Sequence, residues 1–205
     1  INSFEDDLSD KKLTYIRSIL TFCLSAFSCI YTLYFAEKDR DDQFLIKENI
    51  KKLAAEVHFY PLIRKIIICI TELCDVERAS VFLFDNETQK LWLLDGTGDV
   101  KNKLTFDCKL GIAGKVFSTQ QPEVVLDVYG EKDFNPEFEQ KVGFHTQNMI
   151  CYPMIHSSGK CIGVVQAINK NKGVFSKRDL KKLAYLVDFA SISIENARLF
   201  DSDIL

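Results

Sequence analysis

No two cysteines in this sequence stand at CxxC spacing, no P-loop interrupts it, and its three histidines, His58, His145 and His156, are scattered. The seven cysteines are odd in number and sit mostly in apolar runs, where Cys acts as a small hydrophobe. A disulfide framework or a zinc site is therefore not expected, and a reducing, cytoplasmic setting is. Positive charge is not in surplus either: 26 Lys and Arg face 29 Asp and Glu, for a net charge of −3. Binding to phosphate backbones needs an excess of cations, so no nucleic-acid partner is expected. The Lys-rich stretch Lys177, Arg178, Lys181 and Lys182 alternates with apolar residues at helical spacing and reads as a solvated helix face. There is no Ser/His/Asp constellation and no pairing of metal ligands. The loop acids Asp127, Asp133 and Glu137 have no nucleophile or base beside them, so neither catalysis nor a metal site is expected of this stretch. The chain opens at Ile1 without a signal-peptide pattern and reads as a piece of something longer.

What is present is a globular balance, 47% hydrophobic and 27% charged over 205 residues. One run, "SILTFCLSAFSCIYTLYFA" from Ser18 to Ala36, carries no charge over 19 residues and is long enough to span a bilayer. Its flanks argue otherwise. Lys11, Lys12 and Arg17 precede it and Glu37, Asp39, Asp41 and Asp42 follow, which would send the cysteine-rich remainder out of the cell. The run is expected to be a buried interface helix instead of a membrane span.

Periodicity sets out the rest. Residues 8–35 read as one helix, and a second helical stretch runs from Phe44 to Cys74, with Pro61 placed to kink or divide it. The period then shortens to two. "RASVFLFDNETQKLWLLDG" reads as a hairpin turning at Asn86-Glu87-Thr88. A loop over 97–103, a short strand at "LTFDC", a Gly-bounded entry to a short helix at "LGIAGKVFSTQQ" and a brief strand "EVVLDV" follow. Residues 129–147 form a charged, aromatic insertion. "NMICYPMIH" and "CIGVVQAIN" make a second hairpin around Ser157-Ser158-Gly159, and Ser176 caps a last helix to about Phe200. The fold class is α+β: an antiparallel sheet of about six strands, terminal helices packed on one face, and a long linker helix before it. "LSDKKLTYIRSILTF" (8–22) also lies over "FSKRDLKKLAYLVDF" (175–189), as though a sister domain closes before this one opens.

The motifs "SVFLFD" (80–85), "GIAGKV" (111–116), "FNPEFEQKVGFHTQNMICYPM" (134–154), "IGVVQAINK" (162–170) and "FSKRDL" (175–180) stand in the order of a known family. From about Ile66 to Leu199 the chain resembles a GAF domain of the kind found in tandem cyclic-nucleotide phosphodiesterases and adenylyl cyclases. Asn169, Lys170, Phe175 and Asp179 match the family's Asn-Lys…Phe…Asp-Glu signature, with Leu180 in the place of the final Glu. The resemblance implies a division into 1–35, the closing helix of a preceding GAF domain; 36–65, a linker helix; 66–200, the GAF domain; and 201–205, the start of an exit linker. It implies a salt bridge between Lys170 and Asp179, expected to contribute only ~0–1 kcal/mol if exposed.

It also implies a cyclic-nucleotide pocket lined by Ser80, Leu94, Asp95, Ile112, Ala113, Asp127, Val142, Thr146 and Gln166. The "GIAG" turn would offer backbone N–H groups to the phosphate at a helix start. Leu94 stands where a related member stacks an aromatic on the base, and Val142 where one has a hydroxyl. Asp95 suits guanine and Gln166 either purine, a lean toward cGMP over cAMP. The expected function is a nucleotide-sensing domain, with no cofactor beyond that ligand, controlling an attached effector such as a phosphodiesterase. The alternative is a ligand-free GAF module that dimerises. In either case a homodimer through the terminal and linker helices is expected.

Overall fold

The computed structural model describes residues 32, 36–94, 104–136 and 143–200. The chain divides into two compact units, 1–44 and 45–205. In the first, residues 32 and 36–44 are described and are helical. The helix expected over 8–35 and the uncharged run Ser18–Ala36 therefore lie outside the described residues, save Thr32 and Ala36. No helix among the described residues is long and apolar enough to cross a membrane.

The second unit opens with helix α1 (45–54), followed after a break by α2 (Phe59–Cys74). The helical stretch expected from Phe44 to Cys74 is thus divided, at 55–58 rather than at Pro61. Pro61 is the third residue of α2, where its missing N–H forfeits no intrahelical bond. The break has its own support: the Glu56 carboxylate accepts the N–H groups of Val57 and His58, each at 3.2 Å, and pairs with Lys65 at 2.9 Å.

Six strands follow: β1 (Val76–Asp85), β2 (Lys90–Leu94), β3 (Thr105–Asp107), β4 (Glu123–Val125), β5 (Met149–Ile155) and β6 (Cys161–Lys170). They form one antiparallel sheet in the order β3-β2-β1-β6-β5-β4. Helix α3 (Gly111–Thr119) enters between β3 and β4, and α4 (Lys177–Phe200) closes the unit. The β1–β2 turn is held by Asp85, whose carboxylate accepts the N–H groups of Glu87 and Thr88. Ser176 and Asp179 cap α4 reciprocally: Ser176 N–H donates to Asp179 Oδ2 at 2.9 Å, and Asp179 N–H to Ser176 Oγ at 3.3 Å.

Alternation along the strands separates two cores. Ala79, Val81 and Leu83 of β1, Trp92 and Leu94 of β2, and Val165 and Ala167 of β6 pack under α1, α2 and α4 with Leu62, Ile66, Ile70, Leu183, Leu186 and Ile194. Phe82, Leu91, Cys151, Val164 and Ile168 turn to the other face, under α3. Each fully buried Leu, Ile or Phe contributes about 1.5–3 kcal/mol, so the larger, helix-covered cluster holds most of the stability. The α3 face is the one that can tolerate a hollow.

Candidate ligand pocket

That hollow is an open cleft between the sheet, the start of α3 and the segments around Phe134 and Phe144, with about 650 Å³ of empty space counted out to its mouth in solvent. Its floor follows from register. Arg78 pairs with Ile168, Ser80 with Gln166 and Phe82 with Val164, and these even-numbered positions share the α3 face. Ser80 and Gln166 are buried polar residues, as is Thr146 in the cavity wall. Among the described residues, Gln166 Nε2 makes only a long contact to Cys151 Sγ, at 3.9 Å. The rest of that amide faces a cavity where a ligand can complete its hydrogen bonds.

The wall at α3 is backbone. Leu110 is extended, Gly111 takes φ +74°, and the first intrahelical bond is Gly114 N–H to Leu110 C=O at 3.1 Å. The N–H groups of the first turn precede that ladder and point out of the helix end, beside Ile112 and Ala113 in the cavity lining. Lys115 fixes this helix to its surroundings through Glu123 at 2.6 Å and Asp133 at 3.3 Å.

Among the described residues, the remaining wall is aromatic and carries one cation. Phe82 meets Phe106 edge to face at 5.3 Å, and Phe134 meets Tyr129 likewise at 5.2 Å. The Arg78 guanidinium lies 5.0 Å over the Phe144 ring, and among the described residues no carboxylate pairs with it. Tyr129, in the short turn Val128–Gly130, shares a hydrogen bond of 3.0 Å with His145 Nδ1 and stacks on its ring.

Behind the wall stands a two-residue brace. Asn169, buried and left-handed at φ +57°, donates to His145 C=O at 2.8 Å and to Glu77 at 2.9 Å, and accepts from Gln147 N–H at 2.8 Å. Its neighbour Lys170 donates to Cys74 C=O and to Asp179 at 2.9 Å. Burial opposes ionisation of Asp179, but hydrogen bonds from Lys170 and Ser176 outweigh it and hold the carboxyl below its usual value. The side chains of the pair are only 11% and 10% exposed. The exposed-pair estimate therefore does not apply: removing one partner of a buried pair costs about 3–5 kcal/mol.

Of the residues expected to line a pocket, Ser80, Ile112, Ala113, Thr146 and Gln166 come together in it. Two do not. Leu94 pairs with Val81 and so points to the helix-covered core, leaving Leu93 on the cavity side. Asp127 is turned to cap the short helical turn, accepting the Tyr129 N–H at 3.1 Å. Asp95 and Val142 lie outside the described residues. The sequence reading missed Arg78, Phe82, Phe106, Phe134, Asn135 and Phe144. Alternation from Ser80 would have found the first two; Phe106 comes from the short edge strand β3, and Phe134, Asn135 and Phe144 reach the cavity from loops. Cys69, Cys74, Cys108, Cys151 and Cys161 are free thiols, and burial pushes Cys74 up to about 12.

A family model described as "GAF domain" matches residues 62–194. The chain is 31% identical over 152 residues to a probable 3′,5′-cyclic phosphodiesterase of Caenorhabditis elegans, covering 68% of the chain and 21% of that protein. It is 29% identical over 182 residues to the cGMP-specific 3′,5′-cyclic phosphodiesterase of Drosophila melanogaster, covering 81% of the chain and 16% of that protein. It thus spans about a fifth or less of the curated relatives it matches. In fold it is similar to the GAF domain of an Acinetobacter phosphoenolpyruvate-protein phosphotransferase, with a TM-score of 0.66 at 15% identity, over 78% of this chain and 97% of that one.

Proposed function

The chain belongs to the GAF domain family, and from that premise we propose that it is a regulatory module whose pocket takes a cyclic nucleotide, cGMP before cAMP, and controls an attached effector. The observation that carries this reading is the joining of three chemistries in one cavity. An aromatic wall offers a surface to a purine, Arg78 offers a cation to a phosphodiester, and the first-turn N–H groups of α3 offer it a second anion contact. Ser80, Thr146 and Gln166 supply polar groups for the base and ribose edges. The lean to cGMP rests on Asp95 and on the cGMP-specific relatives. Those relatives also support a phosphodiesterase as the effector, and the free thiols of Cys69, Cys74, Cys108, Cys151 and Cys161 support a reducing, cytoplasmic place of action.

A second reading, a GAF module that has lost its ligand and serves as a scaffold, is favoured by one observation: Leu94 faces the core, so no stack on the base comes from that position. Calorimetric titration of the 205-residue chain with cGMP and cAMP separates the two. The sensor reading expects saturable heat below millimolar nucleotide, tighter for cGMP, and an Arg78→Ala variant that folds normally but binds about 10-fold more weakly or worse. A folded chain that gives no heat with either nucleotide at millimolar concentration leaves the scaffold.

A further inference from the structure

Residues 170–182, "KNKGVFSKRDLKK", hold six cations and one acid in a chain of net charge −3. Part of that charge is engaged within the fold. Lys170 pairs with Asp179, and Lys182 donates to the Leu73 C=O in the last turn of α2, at 3.4 Å. Lys172, Lys177 and Lys181 are exposed and, among the described residues, take part in no ion pair. Four of the six cations (Lys177, Arg178, Lys181 and Lys182) sit in the first two turns of α4, where positive charge opposes the helix dipole. Lys177 with Lys181, and Arg178 with Lys182, also set like charges four residues apart. A face that served solubility alone would mix its signs, whereas this one weakens the helix that carries it. The loop before α4 is fixed at both ends. Asn171 N–H donates to the Asp75 C=O and Asn171 Nδ2 to the Asp75 carboxylate, each at 3.0 Å, and Phe175 is buried. Between these anchors the chain stands out. A Cβ at Gly173 would meet nothing within 4 Å, and Val174 is 70% exposed.

We propose that this end of the domain docks on an anionic lipid bilayer, with Val174 entering the headgroup layer and Lys172, Lys177, Arg178 and Lys181 meeting lipid phosphates. The surface joins the two signals that hold a protein at a bilayer, an apolar tip and the cations that flank it. Shape favours a bilayer over an acidic peptide. The loop protrudes where a peptide would need a groove, and an exposed valine at its tip has no role against carboxylates. Charge favours one orientation. With 29 acids against 26 Lys and Arg, the chain as a whole is repelled by an anionic surface, so approach with this end first is favoured. Such docking is peripheral and needs no membrane-spanning helix. It is also independent of whether the cavity holds nucleotide.

Co-sedimentation of the 205-residue chain with lipid vesicles tests this. The chain should bind phosphatidylcholine vesicles that carry about 30% phosphatidylserine, should not bind phosphatidylcholine alone, and should be released at about 0.5 M salt. Lys177→Glu with Lys181→Glu should weaken binding about 30-fold or more, and Val174→Asp alone about 5-fold or more. The same charge change beside the two hairpin turns, Lys90→Glu with Lys160→Glu, should weaken it no more than about 3-fold. All five side chains are exposed, and acids at a helix start suit its dipole, so the α4 double variant should melt no lower than the wild type. A chain that ignores anionic vesicles at low salt, or binds neutral ones equally, overturns the proposal. So does a loss no larger in the α4 pair than in the hairpin pair. Capture by poly-glutamate in place of vesicles would overturn it too, and would assign the surface to an acidic protein segment.

Discussion

Lys170 and Asp179 show how a single pair can serve both the local fold and the pocket. Asp179 closes the cap of α4 through Ser176, while Lys170 ties the end of β6 to the last turn of α2. Because both side chains are about nine-tenths buried, Asp179→Ala should lower the unfolding free energy by about 3 kcal/mol in urea titration, well beyond a surface ion pair. The pH dependence has a definite sign. The folded state favours the ionised carboxyl, so its contribution is complete above the unfolded value of ~3.9 and is lost as pH falls through the lower folded value. Acid titration of the wild type should show that slope, and Asp179→Asn should flatten it. At the same scale, Leu94 and Leu93 show why a family alignment can place a residue one step off. The two are neighbours in sequence but, in a strand, face opposite sides of the sheet, and which one meets the pocket depends on the pairing of Leu94 with Val81.

At the scale of elements, the periodic signals were the legible ones. Both hairpins, the entry to α3, the Ser176 cap and the last helix follow from alternation, turn residues and capping chemistry, and the structure has them where those signals stand. The break at 55–58 was less legible, because Pro61 attracts attention while the actual stop lies upstream and is held by Glu56 through its own backbone contacts. The pocket was legible only in part. Its strand-borne members, Ser80 and Gln166, are tied to motifs, whereas Phe134 and Phe144 arrive from loops whose path depends on Asn169 and on the Tyr129–His145 contact. Local pattern carries no signal for such long-range contacts. The tight packing of β1 on β6 gives this layer a test. A Cβ at Gly163 would stand 2.2 Å from the Phe82 carbonyl oxygen, so Gly163→Ala must push the two central strands apart. A loss of about 2 kcal/mol or more in stability is expected from thermal or urea unfolding, with nucleotide binding weakened through the displaced Phe82.

Taken as a whole, the second unit puts its candidate ligand cavity and α3 on one face of its sheet and α1, α2 and α4 on the other. β6 joins them: Gln166 lies in the cavity, Asn169 pins the segment that carries Thr146, and Lys170 holds the exit helix. A nucleotide that binds one arrangement of that segment better than another would bias the end of β6 and, through it, α4. The most direct measurement of this account is a heteronuclear NMR titration of the chain with cGMP, following the Arg78 side-chain Nε–H, the Gln166 carboxamide and the backbone amides of Ile112 and Ala113. The account predicts that these signals move together and saturate at one concentration. Saturable binding that leaves all of them unmoved, with the shifts gathered elsewhere on the domain, would contradict it.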